Sequence, residues 1–155
     1  MIKKILITFC IALINTAFAT PKTYGNFTVE HLISVYDGDT IKVDIANCKQ
    51  PLLCKNIGIR IFGIDTPEIR GKCQNEKRLA KIARDKVREV LKSAKIISLK
   101  NTSRGKYFRI VAQVFADNVE VADLLIEKKL AFRYFGGKKQ SWCDISKTKS
   151  TSAKY

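Results

Sequence analysis

EKRLAKIARDKVREVLKS, from Glu76 to Ser93, is the stretch from which the rest of the chain is read. Leu79, Ile82, Ala83, Val87, Val90 and Leu91 recur at helical spacing with Lys, Arg and Glu between them, so the segment predicts an amphipathic helix. The chain before it has the period of strands. Asn26 to Val35 alternates, Asp37-Gly38-Asp39 reads as a turn, and Thr40 to Ile45 alternates again through Ile41, Val43 and Ile45. That is a hairpin. Ile57 to Ile64 is β-branched and apolar, a third strand to be buried against the first two and ended by Pro67. After the helix, Lys95 to Lys100 and Tyr107 to Ala116 read as two strands around Ser103-Arg104-Gly105-Lys106, and Asp117-Asn118 as the next reversal. Val121 to Lys129 reads as a short helix carrying Leu124, Leu125 and Ile126. Three strands, a helix, two strands and a helix predict a mainly β (α+β) chain. The layout is that of the five-stranded OB-fold Greek-key barrel, with a helix between strands 3 and 4 and another near the C-terminus.

Both ends fall outside that layout. Lys3 and Lys4 precede an apolar run from Ile5, and Ala17-Phe18-Ala19 fits a signal-peptidase site. Residues 1–19 are therefore expected to be a cleaved signal peptide, followed by one domain over 20–146. An uncleaved anchor would need about 20 apolar residues; this run is shorter and is interrupted by Asn15 and Thr16. The lysine-rich stretch 147–155 has no apolar period and is expected to be a disordered tail. Export, to the periplasm or the medium, sets the redox context. Cys10 lies in the signal, behind a Phe9 too large for a lipoprotein site, which leaves Cys48, Cys54, Cys73 and Cys143. An even number suits disulfides. Among three connectivities, Cys48–Cys54 would staple a short loop and leave Cys73–Cys143. Zinc is the weaker alternative, because no Cys-x-x-Cys occurs and the single histidine, His31, is given no role.

The chain carries a formal charge of +15, and removal of residues 1–19 would take away only two lysines and no acid. An excess of this size selects an anionic partner: nucleic acid through phosphate contact, with membrane surfaces and acidic polysaccharides also attracted. Charge alone supplies the partner's sign.

The chemistry comes from a few residues set against this pattern. Asp39, Asp65 and the carbonyl of Thr66 are a plausible oxygen set for calcium, with Pro67 keeping Thr66 out of the helical region. Glu68, three residues after Asp65, stands where it could activate a water without being a ligand. Arg60 and Arg109 lie within apolar strands, where an unpaired guanidinium is costly, so each should face a phosphate or a carboxylate. Taken singly, these motifs also fit a hairpin turn, a helix entry, a capping charge and a structural ion pair.

Together, in order and spacing, Asp37-Gly38-Asp39-Thr40, then Arg60 through Asp65-Thr66-Pro67-Glu68, then Lys106-Tyr107 with Arg109 resemble the staphylococcal-type nucleases, or thermonucleases. The resemblance runs from about Thr28 to Phe135. It implies a calcium-dependent endonuclease that cleaves DNA and RNA to leave 3′-phosphate ends, built on the same barrel. By position, Asp39, Asp65 and Thr66 resemble the Ca2+ ligands, and Asp37 the residue holding the ion's waters. Glu68 resembles the general base, and Arg60 and Arg109 the two phosphate-binding guanidinium groups. Lys106 and Tyr107 resemble the terminal-phosphate contacts of the nucleotide pocket. A base-packing aromatic is expected at Phe132, Tyr134 or Phe135, with Tyr134 preferred.

The chain departs from the family at Phe108, where glycine usually precedes the second arginine, and in its four cysteines, which suggest a disulfide-bearing exported branch. A monomer with no stable membrane association is expected. Two other readings compete: a non-catalytic nucleic-acid-binding barrel, and a cationic protein aimed at anionic envelopes.

Overall fold

The computed structural model describes residues 22–143. The expected signal peptide and the 147–155 tail lie outside the described residues. Strand β1 (Phe27–Val35) and strand β2 (Thr40–Ile45) form the hairpin. Val35 pairs with Ile41 and Val29 with Ile45, and two register shifts bend β1 along the way. Bending lets one strand serve two neighbours. The start of β1 pairs with β5 (Ile97–Arg104), Phe27 opposite Leu99. Strand β3 (Ile57–Ile61) adds to β2, and β5 pairs with β6 (Ile110–Ala116). The ring closes where β3 and β6 run parallel, with Arg60 beside Val111. The result is a closed, mixed five-stranded barrel, as the periodicity predicts.

The barrel core joins Ile41, Val43, Ile59, Ile61, Leu99 and Val114 to Ala83, Val87 and Leu91 of α2 (Gln74–Ser93). Leu125 of α3 (Val121–Glu127) joins the same core. Helix α2 lies where expected, but its buried face is Glu76, Ala80, Ala83, Val87 and Leu91. Ile82 points to solvent, and Leu79 and Val90 only flank the core. The small Ala80 and Ala83 let the helix sit close to the barrel.

Two strand readings need correction. The third strand does not run unbroken to Ile64; it stops at Ile61, and Phe62-Gly63 turns the chain through a φ of +79° at Gly63. A two-residue strand β4 (Ile64–Asp65) then pairs with β8 (Phe132–Arg133). The β5–β6 hairpin is also shifted. Asn101, at φ 50°, accompanies a register shift that carries β5 on to Arg104. Tyr107 and Phe108 take left-handed backbone, at φ 57° and 58°, and belong to the loop. Arg109 therefore ends a loop rather than sitting inside a strand; Gly105 N donates to its carbonyl at 2.8 Å.

Both expected disulfides are formed. Cys48–Cys54 closes the loop holding the short helix α1 (Pro51–Cys54), and Cys73–Cys143 ties the start of α2 to the end of the described chain. A short edge strand β7 (Val119–Glu120) pairs with β6 and leads into α3. His31 is largely exposed, 3.6 Å from Asp44. Among the described residues, no helix is long and apolar enough to cross a membrane.

Candidate active site

The Asp37-Gly38-Asp39 turn is buried, unlike an ordinary hairpin tip. Asp37 and Asp39 are 3% and 2% exposed. Gly38 allows this burial: a Cβ there would come within 2.8 Å of Thr66 Cγ2 and 2.9 Å of Ala83 Cβ, so the turn is pressed against helix α2 and the Thr66 segment. Asp39 N donates to Asp37 Oδ1 at 3.1 Å and Thr40 Oγ1 donates to Asp39 Oδ1 at 2.9 Å, which fixes both carboxylates.

The β2–β3 register places Thr40 opposite Arg60 and so brings Arg60 alongside Asp39. Arg60 Nη1 pairs with Asp39 Oδ2, and Nη2 donates to the Ile64 carbonyl at 2.9 Å. The guanidinium thus links the turn to the strand that delivers Asp65 and Thr66, 2% and 1% exposed. Thr66 N approaches Asp39 Oδ2 at 3.4 Å. Asp37, Asp39, Arg60, Asp65 and Thr66 therefore form one cluster. Burial pushes the Asp37 carboxyl above its ordinary value, with Arg60 opposing. Burial pushes Arg60 downward, with Asp65 and then Asp37 opposing.

Glu68 stands at the edge of the cluster, about half exposed. Arg109 lies near the same cluster. Its side chain crosses Gly58 of β3, where an added Cβ would lie 3.1 Å from Arg109 Cγ, and it is close enough to act on the charges of Arg60 and Asp37. Its Nε is buried without a hydrogen-bond partner among the described residues. Tyr107 is exposed, with the Arg109 guanidinium 6.0 Å from its ring centroid, and Lys106 is exposed beside it. Of the three aromatic candidates, Phe132 is engaged by Trp142 (centroids 4.2 Å apart) and Phe135 packs on Phe62. Tyr134 is tied through its hydroxyl, which donates to the Gly137 carbonyl at 3.1 Å.

Three residues in this neighbourhood carry no signal in the motif reading. Glu76 looks like helix surface, yet its buried carboxylate accepts from Lys72 N at 2.8 Å and Glu68 N at 3.4 Å, holding the loop that carries Glu68. Its place three residues after the N-cap Cys73 is the local hint. Trp142 donates its indole N–H to Asp65 Oδ2 at 3.4 Å, and Lys139 Nζ lies 2.7 Å from Asp65 Oδ1 and 3.4 Å from Glu68 Oε1. Burial would lower the Lys139 ammonium, but contact with Asp65 and then Glu68 raises it.

The cluster fits a hard cation by its chemistry: buried carboxylates and oxygen donors, with a buried Thr66 Oγ1 that has no hydrogen-bond partner among the described residues, while Asp65 Oδ1 is met by the Lys139 ammonium. Among the described residues, the tightest trio of ligating atoms belongs to Cys73, Glu76 and Cys143, but its two cysteines are joined in a disulfide. The aspartates are spaced more loosely, with Arg60 on Asp39 and Lys139 on Asp65.

The family model of the staphylococcal nuclease homologues matches residues 58–153, more than half of the chain. The chain belongs to this family. No curated protein matches it. The nuclease-family match begins at Gly58, and the Asp37–Thr40 turn joins it through the contacts of Asp39 with Arg60 and Thr66. A nuclease domain of this family acts on nucleic acid, with metal dependence general among its members.

Proposed function

We propose that this protein is an exported, calcium-dependent endonuclease that hydrolyses DNA and RNA with little sequence specificity and leaves 3′-phosphate ends. The observation that carries the reading is the burial of the Asp37-Gly38-Asp39 turn against Thr66, with Arg60 bridging to the Asp65 strand. A turn that served only to reverse the chain would leave its acids in water.

Asp39, Asp65 and the Thr66 carbonyl would hold the ion, and Asp37 would orient its waters. When bound, calcium supplies a Lewis acid for a phosphate oxygen. Glu68, anchored through its backbone by Glu76, takes a proton from a water as the water oxygen attacks phosphorus. The bond from phosphorus to the 5′ oxygen breaks in line, and that oxygen leaves with a proton from solvent. Arg60 and Arg109 compensate the charge that builds on the phosphoryl oxygens. Lys106 and Tyr107 would grip a neighbouring phosphate, and Tyr134 would pack on a base. Phosphate contacts and stacking carry little sequence information, so weak base preference follows. Residues 1–19 would direct export and then be removed.

A plasmid-nicking assay with the purified protein tests the proposal, with calcium and then with a chelator, followed by analysis of the new ends. Calcium-dependent nicking with 3′-phosphates is expected. Glu68→Gln should lower the rate by about two to four powers of ten while nucleic-acid binding persists. Binding without cleavage in the unaltered protein would instead make it a non-catalytic nucleic-acid-binding barrel.

A further inference from the structure

The Cys48–Cys54 loop holds Leu52 and Leu53 of α1 away from the core, 90% and 59% exposed; only Cys54 of that helix is buried. Phe108, 93% exposed, stands on the β5–β6 loop, and Tyr24 and Phe27 approach from the start of β1. With Arg109 these side chains line a single groove of about 420 Å³, within the range of ligand sites. Scattered exposed apolar residues are ordinary, but several converging on one groove mark a binding surface.

The groove's charge is one-sided. Among the described residues, Arg104 and Arg109 line it and no acid does, and Arg109 Nε has no hydrogen-bond partner. Phe108 occupies left-handed backbone at φ 58°, where a side chain is costly and glycine is not. Strain kept together with a fully presented ring calls for a role outside folding.

We propose that this groove receives a nucleobase of a single-stranded substrate, the base beside the phosphate bound by Arg109. Phe108 stacks on one face and Leu52 and Leu53 cover the other. The proposal rests on the nuclease reading above and adds a subsite to it; Lys106, Tyr107 and Tyr134 are not among the groove's lining residues. A nucleotide joins a flat, stackable base through its sugar to a phosphodiester, which suits a groove with apolar walls and an arginine at its end.

Anisotropy titrations of a labelled single-stranded oligothymidylate test it, with calcium present and Glu68→Gln in every protein to prevent cleavage. A strand of the same length carrying abasic sites serves as the comparison. The parent should prefer the intact strand by roughly ten-fold, the scale of one stacked base. Adding Phe108→Gly or Leu52→Ser should bring intact-strand affinity toward the abasic value and leave abasic affinity unchanged. Both side chains are exposed and glycine suits φ 58°, so thermal melting should stay at the parent value. If both variants bind the intact strand as tightly as the parent, the groove assignment is overturned while the nuclease reading stands. If the parent binds neither strand, the nucleic-acid reading fails and takes the groove with it. Loss of binding to anionic vesicles in these variants, with oligonucleotide affinity unchanged, would assign the groove to a membrane surface and overturn the proposal.

Discussion

Trp142 donates its indole N–H to Asp65 Oδ2 while its ring lies against Phe132, and one substitution separates the two contacts. Trp142→Phe keeps an aromatic ring for the stack and removes the donor, so Asp65 loses part of what orients it. Groups that orient a metal-ligating carboxylate typically change metal affinity by 10- to 100-fold when removed. If Asp65 ligates calcium as proposed, calorimetric titration should show calcium binding weakened by about ten-fold, with only a modest fall in the melting temperature of the calcium-free protein from the smaller buried ring. Unaltered calcium affinity would reduce Trp142 to a packing residue. Asp37, Asp39, Asp65 and Arg60 were legible in the sequence because charge beside an apolar, β-branched run violates the pattern around it. Trp142 was not, because it meets Asp65 from 77 positions away and a tryptophan near a chain end breaks no local rule. Glu76 hid for another reason: a glutamate in the first turn of a helix already has an ordinary explanation.

Helix α2 organises the site from three places along its length. Ala83 backs the buried turn at Gly38, Glu76 holds the Glu68 loop, and Cys73 at the N-cap is bonded to Cys143. Its helical period was plain in the sequence, but the buried face was displaced toward Ala80, because small residues weigh little in an apolar stripe. The turn at Gly63 and the register shift at Asn101 were less visible, since each depends on a positive φ set by the barrel around it. The disulfide yields a prediction for this element. Cys73 and Cys143 enclose a separation of 70 residues, against 6 for Cys48 and Cys54. Chain-entropy arguments then assign about 4 kcal/mol to the long bridge and about 2 kcal/mol to the short one. Cys73→Ser with Cys143→Ser should lower stability by more than Cys48→Ser with Cys54→Ser in denaturant melts. The long-bridge pair should also expose Trp142 to quenchers, since the bridge ends one residue beyond it. Equal losses for the two pairs, with Trp142 still shielded, would show that the C-terminal segment is held by packing alone.

Across the whole molecule, the charge of +15 has to be reconciled with a site built around buried carboxylates. The two are compatible because they act at different distances. The acids are enclosed and partly matched by Arg60 and Lys139, whereas Arg104, Lys106 and most other cations lie on the surface and dominate the field a polyanion meets first. If Arg60, Arg104, Lys106, Arg109 and one further cation meet phosphates, about five contacts are made. Counterion release then gives log affinity against log salt a slope near −3.5 for a single strand. Raising salt from roughly 50 to 200 mM should weaken single-strand binding by about a hundred-fold. Titrations with the Glu68→Gln protein at fixed calcium measure the slope directly, and Lys106→Gln should make it shallower by about 0.7, one phosphate's share. A slope near zero would mean that the positive surface meets no phosphate. A steep slope unchanged by Lys106→Gln would move the phosphate path away from the β5–β6 loop and place it elsewhere on the basic surface.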